Sequence, residues 1–226
     1  MKKKQKTNYL LAIVLSIILY VLGVYTGVKV ENYFSTKIYS ELELMKTDMQ
    51  KIKQSTDNLY IQQLLLLSVD KEKTCPILVS SLKEIEQNLK FYWDRLPKRL
   101  EEYEKYEDVT KEYENLKKDY MTISLKAWSI SSLIKKDCDP SLIPILYFYS
   151  RNCEKCIDQG VELDKLKQLV ISENKTVMVF TVDYDLSNPN LNVIKVAYNI
   201  TETPSMIIED KIINGFANVS YLLGLI

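Results

Sequence analysis

The chain has 226 residues, 46% of them hydrophobic, and its 30 basic residues balance its 30 acidic ones. That length holds one compact core plus an accessory region, and a net charge of zero argues against nucleic acid as a partner. The absence of histidine excludes histidine-dependent triads, most catalytic zinc sites and the usual near-neutral general base. Any chemistry must therefore run on cysteine, carboxylate, lysine or tyrosine.

Residues 1–8 form a basic head, with Lys2, Lys3, Lys4 and Lys6, and Tyr9 to Val28 follow without a charge. At about 1.5 Å per residue a helix over 9–28 reaches across the ~30 Å hydrocarbon core of a bilayer. Only Lys29 and Lys37 flank it on the far side, so the charge bias predicts a single-pass cell-membrane protein with its N-terminus in the cytoplasm and the rest of the chain outside. A cleaved signal peptide is the rival reading, but its apolar region should be about 7 to 15 residues long. The Gly23 to Gly27 region also makes a poor cleavage site.

From Glu31 to about Lys73 the spacing is helical: Ile38, Leu42, Met45, Met49, Ile52, Thr56, Leu59, Gln63 and Leu66 recur every four and three residues. This is a narrow coiled-coil seam weakened at Thr56 and Gln63, and it predicts packing on another helix or a homo-oligomer through helix 31–73. Glycine is absent from Lys29 to Asp158, which suits long helices. Thr74-Cys75-Pro76 reads as a helix start, with a capping hydroxyl and a proline in the first turn. Leu78, Leu82, Ile85, Leu89, Tyr92 and Leu96 continue that helix, and Val109, Tyr113, Leu116, Tyr120, Ile123, Ala127, Ile130 and Ile134 mark another. The turn between them falls either at Pro97 or near Tyr106-Glu107, midway between Cys75 and Cys138.

A hairpin turning at that midpoint brings Cys75 and Cys138 together, and outside the membrane the pair is expected to form a structural disulfide. Two unrelated buried thiols are the alternative. The Lys and Glu run from Lys98 to Lys118 reads as solvated helix faces. Tyr103, Tyr106, Tyr113 and Tyr120, four of the chain's 16 tyrosines, read as packing residues with wet hydroxyls.

Pro140 and Pro144 close the helical region, which the sequence bounds as a stalk or hairpin over 31–137. Beyond it the period changes. Strands are expected at Ile145 to Tyr149, Val177 to Val182, Ser205 to Ile208 and Lys211 to Phe216, with helices at Ile157 to Val170 and Asn190 to Tyr198 and a short closing segment after Ala217. That order predicts an α/β domain with a mixed sheet over 140–226. Between the first strand and its helix stand Cys153-Glu154-Lys155-Cys156. A helix start concentrates unpaired N–H groups and the positive end of the helix dipole, and both favour a thiolate.

Three landmarks in order, Cys153-x-x-Cys156 after a strand, Val182 to Pro189, and Tyr198-Asn-Ile-Thr-Glu-Thr-Pro-Ser205, make residues 144 to 221 resemble the thioredoxin family. The resemblance implies an α/β thioredoxin-like C-terminal domain behind a transmembrane helix and an all-α helical-hairpin or coiled region. It implies Cys153 as nucleophile, Cys156 as resolving thiol, a cis Pro204, and Thr203 with Pro204 as the substrate-binding positions. An ordinary trans turn at Thr203-Pro204 is the plain alternative. Glu154 and Lys155 tune the couple in opposite senses. The chain departs from the family in having Asn152 before the first cysteine, Glu-Lys between the two, and Tyr147 where thioredoxin carries a buried acid.

The function so implied is a membrane-anchored thiol–disulfide oxidoreductase, with no cofactor, acting on cysteine-containing exported proteins. Its expected partners are those substrates, a membrane or extracytoplasmic redox partner, and membrane lipid around the N-terminal helix. The alternative from another class is a non-enzymatic helical adaptor with a thioredoxin-like binding module. A four-cysteine zinc site has the right number of ligands but odd spacing, so no metal is expected.

Overall fold

The computed structural model describes residues 2–66, 71–95, 107–151 and 153–226. The expected turn positions Pro97 and Tyr106 lie outside them, as do Leu96, Tyr103 and Asn152, and the side chains of Ile38, Gln63, Leu66, Tyr92 and Val109. The chain divides into two units, Met1–Leu44 and Met45–Ile226.

The first unit is helical throughout its described residues, as part of α1 (Lys2–Leu66). Ile13–Tyr33, 21 residues, is long and apolar enough to cross a bilayer, and its side chains are exposed. The Thr26 hydroxyl within it donates to Leu22 O at 2.9 Å, so the helix satisfies its own polar group. The expected span, 9–28, starts among side chains outside the description.

In the second unit α1 buries Met45, Met49, Ile52, Thr56 and Leu59, the four-three positions of the seam. Thr56 fits because its hydroxyl donates to Ile52 O at 2.8 Å. Ion pairs Lys46–Glu112 and Asp57–Lys126 tie α1 to α3 (Glu107–Asp137). Both pairs advance in the same direction, so these helices run parallel. Between them in sequence, α2 (Lys71–Arg95) buries Leu78, Leu82, Ile85 and Leu89. It begins at Lys71, before the expected Thr74 cap, and Pro76 lies inside it. A proline this close to a helix start removes few intrahelical bonds. Cys75 near the head of α2 is bonded to Cys138, just past the end of α3, which sets these two helices antiparallel.

The sheet has the order β2-β1-β3-β4. Its strands are β1 (Leu142–Tyr149), β2 (Thr176–Asp183), β3 (Ser205–Ile208) and β4 (Lys211–Asn214). β1 and β2 are parallel, the other pairings antiparallel. β1 is buried on both faces, as a central strand requires. It starts earlier than the expected Ile145, taking in Pro144. The ladder to β3 begins only at Ile145, so at Pro144 the strand is still an edge on that side and the missing N–H does no harm.

On one face, Ile143, Ile145, Tyr147, Val177, Met206, Ile208 and Ile213 pack with Leu163, Leu166 and Val170 of α4 (Glu154–Val170) and Leu222 of α6 (Val219–Leu223). On the other, Leu142, Leu146, Phe148, Phe180 and Val182 are buried, and α3 packs on β1 and β2. A further helix, α5 (Pro189–Ala197), follows β2. Trp128 of α3 meets Tyr198 at the end of α5 edge to face, with ring centroids 6.2 Å apart. α5 is capped by Asn188, whose side chain accepts the N–H groups of Asn190 and Leu191.

Residues 137–140 lie within the second unit, Met45–Ile226. α3 packs on β1 and β2, and α2 on β2, all within one compact unit. The change in periodicity at Pro140 marks a change of element, not of core: β2 is a sheet edge, and these helices cover it.

Candidate functional site

β1 delivers the chain to Ser150 and Arg151 at the end of the sheet, and α4 begins directly after Cys153. Cys153 is the N-cap of α4, in extended backbone conformation, and Cys156 N–H donates to Cys153 O at 3.1 Å. The two sulfurs form a disulfide, with the Cα atoms 5.3 Å apart. Cys156 is buried in the core cluster, and Cys153, partly exposed, packs against that cluster. Glu154 and Lys155 between them are exposed. Any thiolate at Cys153 sits at the positive end of the α4 dipole.

Tyr147 lies beneath this turn, 2% exposed, and its hydroxyl donates to Cys156 O at 2.8 Å. Burial pushes its phenol well above the ordinary tyrosine range. It is therefore a neutral donor, unlike a carboxylate at the same place. A cavity of about 80 Å³, lined by Tyr147, Gly160, Val179, Thr181 and the paired Lys90 and Asp164, is large and polar enough for water.

Thr203 and Pro204, the positions expected to bind substrate, lie across the sheet. Because β3 pairs with β1 in the register Phe148 to Ser205, the residues before β3 stand beside those after β1. Ser150 Oγ and Thr203 Oγ1 are 2.7 Å apart, and the Thr203-Pro204 bond is cis. Pro204 is buried, and its carbonyl accepts the Gly215 N–H at 2.8 Å. Gly215 has φ +86, a conformation that glycine adopts without strain, and it ends β4 short of the expected Phe216. The fold thus brings Cys153, Cys156, Thr203 and Pro204 to one end of the sheet.

Cys75 and Cys138 lie at the other end, beyond the start of β1. Eight strand residues separate the two cysteine pairs, roughly 25 Å. The four cysteines do not converge, so they make no shared metal site. Among the described residues no cluster of three or more metal-binding side chains occurs.

Several contacts escape the sequence reading. Gln159, fully buried, donates to Ala217 O at 3.0 Å and accepts Ala217 N–H at 2.8 Å, fixing the segment after Gly215 against α4. Glu162 accepts the Val219 N–H at 2.7 Å, and the Lys165 contact with that bond holds its carboxyl below the usual range. Two readings need correction. Lys117, within the run taken as a solvated face, is 15% exposed and pairs with the buried Asp183 of β2. Tyr120 does not keep a wet hydroxyl: buried, it bonds Thr181 Oγ1 at 2.5 Å. A residue next to a seam position faces solvent only where no second layer covers the helix, and here the sheet does.

No protein-family model and no curated relative matches the chain. Among solved structures it is similar to a malarial protein at 20% identity, covering 37% of this chain and 92% of that one, with a TM-score of 0.30. It is also similar to thioredoxin-2, described as a component of the malaria parasite protein secretion machinery, at 21% identity over 37% of this chain and 80% of that one, again with a TM-score of 0.30.

Proposed function

We propose that the chain is a membrane-anchored thiol–disulfide oxidoreductase whose α/β part is thioredoxin-like and works outside the cytoplasm on exported proteins. The observation that carries this reading is the Cys153–Cys156 disulfide at the N-terminus of α4, beside the Ser150–Thr203 contact and Pro204. A partly exposed cysteine at a helix start, a second one buried three residues on, and the adjoining end of β3 are the parts that disulfide exchange needs. The apolar stretch Ile13–Tyr33 supports an anchor.

In the reducing direction the Cys153 thiolate attacks one sulfur of a substrate disulfide. That S–S bond breaks, a Cys153–substrate bond forms, and the first substrate thiolate leaves. The Cys156 thiolate then attacks Cys153 Sγ, closing the Cys153–Cys156 bond and expelling the second substrate thiolate. The substrate gains two electrons and takes up two protons, and the cysteine pair loses both. The reverse sequence forms a substrate disulfide. Cys156 is released as a thiolate or thiol under Tyr147, a neutral donor engaged by the Cys156 carbonyl. Proton exchange at this sulfur then depends on water rather than on a buried carboxylate.

The test uses the full-length chain in detergent and a peptide carrying one disulfide. Exchange by the parent should exceed background, and Cys153→Ser should return it to the uncatalysed rate. Equal rates for parent and variant would remove Cys153 from the mechanism.

A further inference from the structure

Arg151, which precedes the cysteine turn, is linked to the helical region by three successive contacts that the thiol chemistry does not use. Lys117 Nζ of α3 pairs with Asp183 Oδ2 at the end of β2, and the two side chains are 15% and 5% exposed. The other oxygen of that carboxylate accepts the Asp185 N–H at 3.0 Å. Asp185 Oδ2 in turn accepts the Arg151 N–H at 3.4 Å. A carboxylate this far removed from water must be neutralised and hydrogen-bonded locally. Both oxygens of Asp183 are engaged, one by α3 and one by the backbone that leads to Asp185. The strands support the same geometry: Tyr149 stands opposite Asp183, and Tyr184 N–H donates to Tyr149 O at 2.7 Å.

We propose that Lys117, Asp183 and Asp185 form a positioning relay through which α3 holds the Arg151 backbone, two residues before Cys153, and so biases the Cys153–Cys156 couple. The relay rests on the reading of that pair as a redox couple, and it governs the bias of the couple rather than the bond-making steps. An Arg151 backbone held in place keeps Cys153 Sγ within reach of Cys156 and favours the disulfide over the dithiol. Releasing Arg151 lowers the effective concentration of one sulfur at the other, so the couple becomes easier to reduce.

The test equilibrates the full-length protein in detergent with glutathione buffers of graded ratio and measures the Cys153–Cys156 disulfide by mass mapping. Asp185→Ala removes the last link at an exposed residue. It should shift the equilibrium constant toward the dithiol by about fivefold, while the oxidised protein's melting temperature falls by no more than about 4 °C. Asp185→Asn keeps a side-chain carbonyl as acceptor and should stay within about twofold of the parent. Lys117→Met should shift the constant in the same direction while lowering the melting temperature; if it does not fold, the Asp185 variants decide. An Asp185→Ala constant equal to the parent's overturns the relay, and so do equal shifts in Asp185→Ala and Asp185→Asn. A parent that equilibrates reversibly but catalyses no exchange counts against the oxidoreductase reading and leaves the relay standing. A parent pair that cannot be reduced reversibly overturns both.

Discussion

At the start of β1 the Cys75–Cys138 bond joins residues 63 apart in sequence and closes α2 onto α3, whereas at its end Cys153 and Cys156 are 3 apart. In the chain-entropy account the first bond stabilises the fold by about 4 kcal/mol and the second by about 2 kcal/mol. Their settings differ as well. The Cys75 sulfur lies 3.9 Å from Asp137 O, at the junction of two helices, while Cys153 caps a helix and its partner Cys156 is buried. The first bond contributes more to the fold than the second, which costs less to open. Under the proposed function the same covalent link serves two purposes because loop length and local field differ, not because the sulfurs do.

That contrast breaks most visibly if the framework bond is removed. Cys75→Ala with Cys138→Ala should lose about 4 kcal/mol, or roughly 8 to 16 °C in melting temperature for a chain of this size. The glutathione equilibrium of Cys153–Cys156 should stay unchanged. A shift in that equilibrium would mean that the two ends of β1 are coupled.

Next in size is the buried pair at the exit of the sheet. Lys117→Met strands the Asp183 carboxylate and should cost about 3 kcal/mol in urea unfolding, and Lys117→Met with Asp183→Asn should recover part of it. Independent, additive losses would show that the two side chains do not interact. Gln159→Ala leaves the N–H and C=O of Ala217 without their partner, and a loss of about 2 kcal/mol is expected. A loss below about 0.5 kcal/mol would place water in that role.

The smallest effect is alkaline. Burial raises the Tyr147 and Tyr149 phenols above the ordinary tyrosine value, with Asp183 adding to the shift at Tyr149. Above about pH 10 the unfolded chain has lost those protons and the folded chain keeps them. Stability contributed by these groups is thus complete below pH 10 and falls as pH rises past it. Above pH 10 the phenolate absorbance of the folded protein should stay below that of the unfolded chain, and equal absorbance of the two would contradict this.

How much of this was legible in the sequence follows from which physics is local. The strand runs, the helix starting at the cysteine motif, the Asn188 cap and the seam through Met45, Met49, Ile52 and Leu59 are patterns within one element, and the elements formed close to where the periods place them. The helix start expected at Thr74 lies instead at Lys71, which leaves Pro76 inside the helix at the cost of one intrahelical bond. What no local pattern carries is which element lies over which. Lys117 looks like any surface lysine until β2 sets Asp183 beneath it, and Gln159 like any helix glutamine until Ala217 returns to it. The Ser150–Thr203 contact depends on the antiparallel register of β1 and β3, fixed by residues far apart in the chain.

The central claim is that the partly exposed Cys153, at the end of β1, exchanges with disulfides in other proteins. Trapping tests it most directly: Cys156→Ser removes the resolving thiol, and the full-length variant is mixed with a disulfide peptide and analysed intact under non-reducing conditions. The account predicts a stoichiometric adduct mapped to Cys153 and released by reductant, with none formed by Cys153→Ser. An adduct found elsewhere, or no adduct from folded protein, would contradict it.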